Sequence, residues 1–178
     1  MNTSILISGS TGMVGEAFIS ALALKGHTRI YRVRRKPSSL SGDFYLDISQ
    51  PKNSDPLPDG ELIWINLNGA GIADKPWSPH RKEVLIQSRV KTTHAIEQIC
   101  TIQNRQLQTY IGASAVGVYG IKDMPNSFLQ HICQLWEDSH LQVNALHRYI
   151  LRIPIVLSSR GGALKKMNIP FRLGLGGP

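Results

Sequence analysis

The chain has 178 residues, 42% of them hydrophobic, two cysteines and a formal charge of +8. That length allows one domain with a substantial core and excludes two comfortable ones. No apolar run approaches the roughly 18 residues of a membrane span, and the N-terminus lacks the basic and long apolar regions of a secretion signal, so a cytoplasmic location is expected.

In chain order, Ile5, Leu6 and Ile7 form a short apolar run that meets Ser8-Gly9, as a buried parallel strand does. From residue 13 to 25, Val14, Phe18, Ala21 and Leu22 recur at helical spacing, and Gly26 stands at a helix stop position. Residues 29–33 read as a second strand and 44–46 as a weaker third. Residues 49–60, rich in Pro, Asp, Ser and Asn, read as a loop. An apolar strand over 62–67 ends at Asn68-Gly69. Ser78-Pro79 then supplies an N-cap and a first-turn proline. The helix that follows runs to about residue 102, with Val84, Leu85, Val90, Ile96 and Ile99 on its buried side. A strand over 107–111, a helix over 127–146 and a last strand over 149–157 complete the pattern. Such alternation predicts an α/β fold, a Rossmann-type doubly wound parallel sheet with helices on both faces.

Between the first strand and first helix lies Ser8-Gly9-Ser10-Thr11-Gly12-Met13-Val14-Gly15, whose glycines follow G-x-x-G-x-x-G. A tight turn and a close backbone approach exclude side chains there, and the helix N-terminus offers N–H groups and partial positive charge to a pyrophosphate. Gly9, Thr11, Gly12, Met13, Val14 and Gly15 are therefore candidate cofactor contacts. The motif has its confirming context, a strand before and a helix after.

An NAD site usually carries an acidic residue about 20 residues further on, at the end of the second strand, for the ribose 2′-hydroxyl. Residues 29–36 contain none, but hold Arg29, Arg32, Arg34, Arg35 and Lys36. A guanidinium matches a 2′-phosphate in charge and fork geometry, so NADP is expected over NAD, with Arg34 or Arg35 as the clamp. A positive charge also suits nucleic acid or anionic membranes. The cluster has no nucleic-acid motif and is not interleaved with aromatic rings in the manner of a stacking platform, so neither partner is expected. Cys100 and Cys133 have no metal-ligand or redox spacing and read as reduced interior or helix residues.

Taken together, the segments at 7–15, 65–69, 72–77, 87–89, 114–120 and 170–178 resemble an atypical short-chain dehydrogenase/reductase. More narrowly, they resemble the "epimerase family" proteins related to nucleotide-sugar epimerases. The blocks Ile72-Ala73-Asp74-Lys75-Pro76-Trp77 and Pro170-Phe171-Arg172-Leu173-Gly174-Leu175-Gly176-Gly177-Pro178 carry the narrower likeness. The resemblance implies a Rossmann domain over 1–158 carrying NADP(H), and over 159–178 the start of a truncated substrate-binding region. It implies that Asn68, Gly69 and Ala70 pass beside the adenosine ribose and pyrophosphate, and that Asp47 lies near the adenine. The substrate is a small molecule of unknown identity; a nucleotide sugar fits the resemblance.

In the wider superfamily a Ser or Thr after the fifth strand polarises the substrate oxygen, a Tyr moves the proton, and a Lys four residues later supplies positive charge. Ser114 matches the serine. The Tyr–Lys pair is absent: four residues after Tyr31, Tyr45, Tyr110, Tyr119 and Tyr149 stand Arg35, Ser49, Ser114, Asp123 and Ile153. Alignment through Trp136-Glu137 puts Leu129 and Cys133 where the pair would fall, and neither can do its work. His131 reads as a surface or core residue. Tyr119 is the better candidate acid. Two functional classes follow: an NADP-dependent oxidoreductase or epimerase with a non-standard proton donor, or a dinucleotide-binding sensor or scaffold without turnover.

The apolar Ile169, Phe171, Leu173 and Leu175 follow a glycine-rich stretch with nothing after them to cover them. Residues beyond about 158 are therefore expected to be poorly anchored, or packed against a partner or a second copy in a homo-oligomer.

Overall fold

A computed structural model describes residues 2–120, 127–158, 171, 172 and 174. Six strands form one sheet in the order β3-β2-β1-β4-β5-β6, and every described pairing is parallel. The strands are β1 (Thr3–Ser8), β2 (Ile30–Arg34), β3 (Asp43–Tyr45), β4 (Glu61–Asn66), β5 (Leu107–Ala115) and β6 (Ala145–Ile153). The helices are α1 (Met13–Leu24), α2 (Pro79–Ile102) and α3 (Phe128–Leu141), with short 3-10 turns over Pro51–Asn53 and Val116–Tyr119. Strand order reverses between β1 and β4, which puts a crevice at the carboxyl ends of those two strands.

The two faces of the sheet follow from strand alternation. Leu6, Trp64 and Tyr110 point to one face and pack with Ala95, Ile96, Ile99 and Cys100 of α2. Ile5, Ile7 and Ile65 point to the other and meet Phe18, Ile19 and Leu22 of α1. Trp64, fully buried, donates its indole N–H to Ser8 Oγ at 2.8 Å. α2 starts as expected: Ser78 caps it, accepting from Arg81 N, with Pro79 in the first turn.

Four expectations shift. β5 runs to Ala115 rather than 111, and β6 begins at Ala145 rather than 149 and ends at Ile153. α3 stops at Leu141, because Val143 is drawn into the core and Asn144 already accepts from Leu107 N at the foot of β5. β6 is an edge strand whose polar and exposed residues hide its period. On α2 the buried face includes Arg89, Thr92 and Thr93, while Val84 and Val90 are only half-buried. The proposed segment 159–178 lies outside the described residues except for 171, 172 and 174.

Candidate functional site

The first half of the site is made of main chain. Gly9 sits at φ +75°, and a Cβ there would stand 2.5 Å from the Leu67 carbonyl oxygen. Only glycine lets the end of β1 turn beneath the chain leaving β4. A Cβ on Gly15 would run into the Gly9 carbonyl, so α1 seats directly against the loop. Gly12 is the N-cap of α1 and no side chain caps it by a hydrogen bond, which leaves its leading N–H groups to an anion.

This cradle opens onto a cleft of roughly 680 Å³ that brings together Gly9, Thr11, Arg34, Arg35 and Asn68, with Lys36, Ser38 and Asp43. A recess beside it sets Arg32 and Arg34 against Ser10, Thr11, Ser20 and the carboxylate-bearing Glu16. The residues present therefore fit a dinucleotide: a cradle closed to side chains, a helix N-terminus and a basic wall. Gly12, Met13, Val14 and Gly15 form the N-cap and first turn of α1 and are not among the residues that line the cleft.

The chain after β4 is clamped from below. Asn66 Oδ1 accepts from both the backbone and side-chain nitrogens of Asn68, at 3.3 and 3.1 Å. Ala70 N donates to Ser88 Oγ at 3.0 Å, and Ala70 O accepts from Arg89 at 3.2 Å. Gly69 leaves room for the Arg89 guanidinium, which would stand 2.9 Å from a Cβ. Arg89 is buried, lies 5.0 Å over the Trp136 ring and also donates to Leu85 O. Burial lowers its pKa to about 10, still charged at neutral pH. Asp47 does not line the cleft. Its Oδ1 accepts from Ser49 N and Gln50 N, and these bonds hold its carboxyl below the usual range. It is Asp43, at the other end of β3, whose side chain reaches the basic wall.

The second half, at the ends of β5 and β6, is made of side chains. Buried Ser114 donates its hydroxyl to Glu137 Oε1 at 2.6 Å. Glu137 takes Arg152 in a fork, Nε to Oε1 at 3.0 Å and one terminal nitrogen to Oε2 at 2.9 Å. The other terminal nitrogen donates to Tyr119 Oη at 3.0 Å, with the guanidinium 4.9 Å from the ring centre. The Arg152 bond, aided by Ser114, holds the Glu137 carboxyl below its ordinary range; Glu137 and then Tyr119 raise the pKa of Arg152. Ser114 and Tyr119 thus share one hydrogen-bonded chain through two residues that no local motif announced.

Leu129 and Cys133 lie against the turn that carries Tyr119: a Cβ on Gly117 would lie 3.5 Å from Cys133 Sγ and 3.8 Å from Leu129 Cβ. Both cysteines are free and buried, with desolvation raising the thiol pKa of Cys133 and pushing that of Cys100 to about 12. His131 is exposed. The informative histidine is His140, fully buried, whose Nε2–H donates to Ala113 O at 2.9 Å. Its Nδ1 must then accept, and Tyr110 Oη donates to it at 2.7 Å while itself accepting from Asn66 Nδ2 at 2.9 Å. A directed chain of bonds therefore ties the Asn68 end of the cleft to the residue before Ser114. Burial lowers the His140 pKa to about 4. Among the described residues no group of His, Cys, Asp and Glu could hold a metal ion, and no helix is long and apolar enough to cross a membrane.

A doubly wound parallel sheet with a glycine cradle at its switch point defines a Rossmann-type nucleotide-binding fold. Residues 5–132 match the model of the NAD dependent epimerase/dehydratase family, and the chain belongs to that family. It is 31% identical over 185 residues to epimerase family protein SSP1921 of Staphylococcus saprophyticus, covering 97% of this chain. It is 32% identical over 186 residues to epimerase family protein Mb2239 of Mycobacterium bovis, covering 98% of this chain. Among solved structures, human epimerase family protein SDR39U1 with NADPH superposes with a TM-score of 0.80 at 26% identity, over 98% of this chain and 61% of that one. The chain spans 61% of the length of each of the two bacterial relatives.

Proposed function

We propose that this chain binds NADP(H) and serves an oxidoreductase or epimerase-like reaction at a carbonyl or hydroxyl carbon of a small molecule, a nucleotide sugar being one candidate class. The observation that carries this reading is the side-chain-free cradle of Gly9, Gly12 and Gly15 opening onto the wall of Arg34, Arg35 and Lys36. The solved NADPH complex of the human relative supports it.

When bound, the nicotinamide would exchange a hydride with the substrate carbon. The chain's own residues must then handle the proton on the neighbouring oxygen. Ser114 directs its hydrogen to Glu137 and so offers lone pairs to a substrate hydroxyl. Tyr119 Oη accepts from Arg152, which leaves its own hydrogen to a substrate oxygen. The superfamily's lysine contributes fixed positive charge beside the phenol; here Arg152 contributes it from β6. A guanidinium does not give up a proton at working pH, so Tyr119 recovers its proton from water, to which it is 69% exposed. Glu137 holds Ser114 and Arg152 in register. This chain of four side chains favours turnover over a sensor or scaffold, which needs none of them.

Fluorescence titration tests the cofactor. NADPH should bind about ten- to a hundredfold more tightly than NADH, one charge-assisted contact being worth roughly 1.5–3 kcal/mol, and Arg34→Ala should remove the difference. Equal wild-type affinities overturn the reading. Loss of cofactor absorbance with candidate carbonyl substrates, abolished by Tyr119→Phe, tests the chemistry.

A further inference from the structure

Among the described residues that line the cleft, one is an anion, Asp43, and it is better buried than the arginine it pairs with; Glu16 lies in the recess beside the cleft. The Asp43 side chain is 5% exposed, against 27% for its partner Arg34. It reaches the wall from β3, seven residues beyond the basic cluster, so a scan of the end of β2 for an acid does not find it. Two roles compete for such a carboxylate. It could accept from a ribose 2′-hydroxyl, as the acid of an NAD site does, or it could position Arg34.

Its hydrogen bonds decide between them. Oδ1 accepts from Arg34 Nε at 3.1 Å, and Oδ2 accepts from the Ser38 hydroxyl at 2.7 Å. Ser38 is itself fixed, since its oxygen accepts from Leu40 N at 3.2 Å. Both carboxylate oxygens are engaged and the group is turned inward. Arg34, by contrast, is bound through Nε alone. Its two terminal nitrogens make no hydrogen bond to the described residues, and they are the edge of a guanidinium that matches two phosphate oxygens.

We infer that Asp43 is a specificity-determining residue, which fixes Arg34 through Nε so that its terminal fork receives the 2′-phosphate of NADP(H). The inference rests on the NADP(H) reading above and says which residue makes the fork effective. A long side chain loses rotamer freedom when it binds a ligand; Asp43 and Ser38 remove that freedom in advance, so less is lost on binding. Asp43 also keeps its charge as the medium turns mildly acidic, because the Ser38 bond, and after it Arg34, lower its pKa against the opposing effect of burial.

The test is a double-mutant cycle on the purified chain, with NADPH and NADH as probes in equilibrium fluorescence titrations. Asp43→Asn preserves shape and removes charge. It should weaken NADPH about tenfold, the loss of roughly one oriented contact, and leave NADH within about twofold. In the Arg34→Ala background the same substitution should change NADPH affinity by less than about twofold, because Asp43 acts through Arg34. Ser38→Ala, a milder change that leaves the ion pair in place, should weaken NADPH about threefold and guards against an Asp43 variant that folds poorly.

Tighter NADPH binding by Asp43→Asn would show that the carboxylate merely repels the phosphate, and selective weakening of NADH would show a ribose contact; either overturns the inference. Additive effects of Asp43→Asn and Arg34→Ala overturn it too. A wild-type preference for NADPH that survives both Asp43→Asn and Ser38→Ala overturns this inference alone, whereas equal wild-type affinities overturn the NADP(H) reading and the inference with it.

Discussion

Two arginine–carboxylate pairs stand at opposite ends of the sheet, and they are bound in different ways. Arg34 touches Asp43 through Nε only and keeps its terminal fork. Arg152 commits Nε and one terminal nitrogen to Glu137 and turns its other terminal nitrogen to Tyr119. The same residue type is thereby held in two ways: one leaves both terminal nitrogens, an edge that matches a phosphate, and the other leaves one terminal nitrogen, which meets a phenol oxygen. The surroundings differ in kind as well. Around Arg34 the site is a glycine loop and a strand end close in sequence. Around Arg152 it is four side chains gathered from β5, the turn after it, α3 and β6. The two arrangements differ in which edge of the guanidinium the carboxylate occupies.

The comparison breaks most severely at the glycine loop. Gly15→Val should eliminate detectable dinucleotide binding in a fluorescence titration, because even a Cβ there runs into the Gly9 carbonyl. Retained tight binding in a folded Gly15→Val protein would show that the cradle is not the anion site. Next comes the other arginine. Arg152→Met should lower turnover about a hundredfold, a typical contribution of a positioned acid–base group, with the dinucleotide Kd unchanged. Arg152→Lys should recover part of the loss in kcat, since it restores charge without the fork. If Arg152→Met weakens the dinucleotide as much as turnover, the two ends are not separate functions.

The wire between the two ends predicts a pH dependence. Burial lowers the folded pKa of His140 from 6.5 to about 4. The unfolded chain therefore binds more protons between those values, and stability falls as pH drops from about 6.5 toward 4, by up to about 3 kcal/mol. Urea unfolding across that range should show the loss in the wild type, and a smaller slope in His140→Gln. An unchanged slope would mean that His140 is not held neutral by the fold. The smallest effect is a control. Ser78→Ala removes the N-cap of α2 and should cost about 1 kcal/mol in urea unfolding. It should change neither cofactor selectivity nor Tyr119-dependent turnover, and a change in either would mean that the two ends respond to general loosening of the fold.

Much of the first half was legible because its physics is local. The strand–glycine–helix order, the basic end of β2 and the cap of α2 each lie within a few consecutive residues, where hydrophobic period, φ preference and capping act directly. The edge strand was legible only in part: β6 carries polar residues on an exposed face, so its alternation did not mark where it begins, and its pairing with β5 settled that instead.

The sequence by itself determined the class of fold, the position of the glycine loop between β1 and α1 and the absence of a lysine four residues after any tyrosine, since these depend on residue type and short spacing. Only the tertiary structure decided that Asp43 meets the basic wall, and that Arg89 and His140 hold the loop after β4 and the end of β5. It alone joined Ser114 to Tyr119 through Glu137 and Arg152, which stand 15 residues apart in the chain. The physical reason is that a parallel sheet aligns the carboxyl ends of its strands whatever the length of the crossovers between them. The side chains that meet there are chosen by strand order and register, and neither is written in any local stretch of sequence.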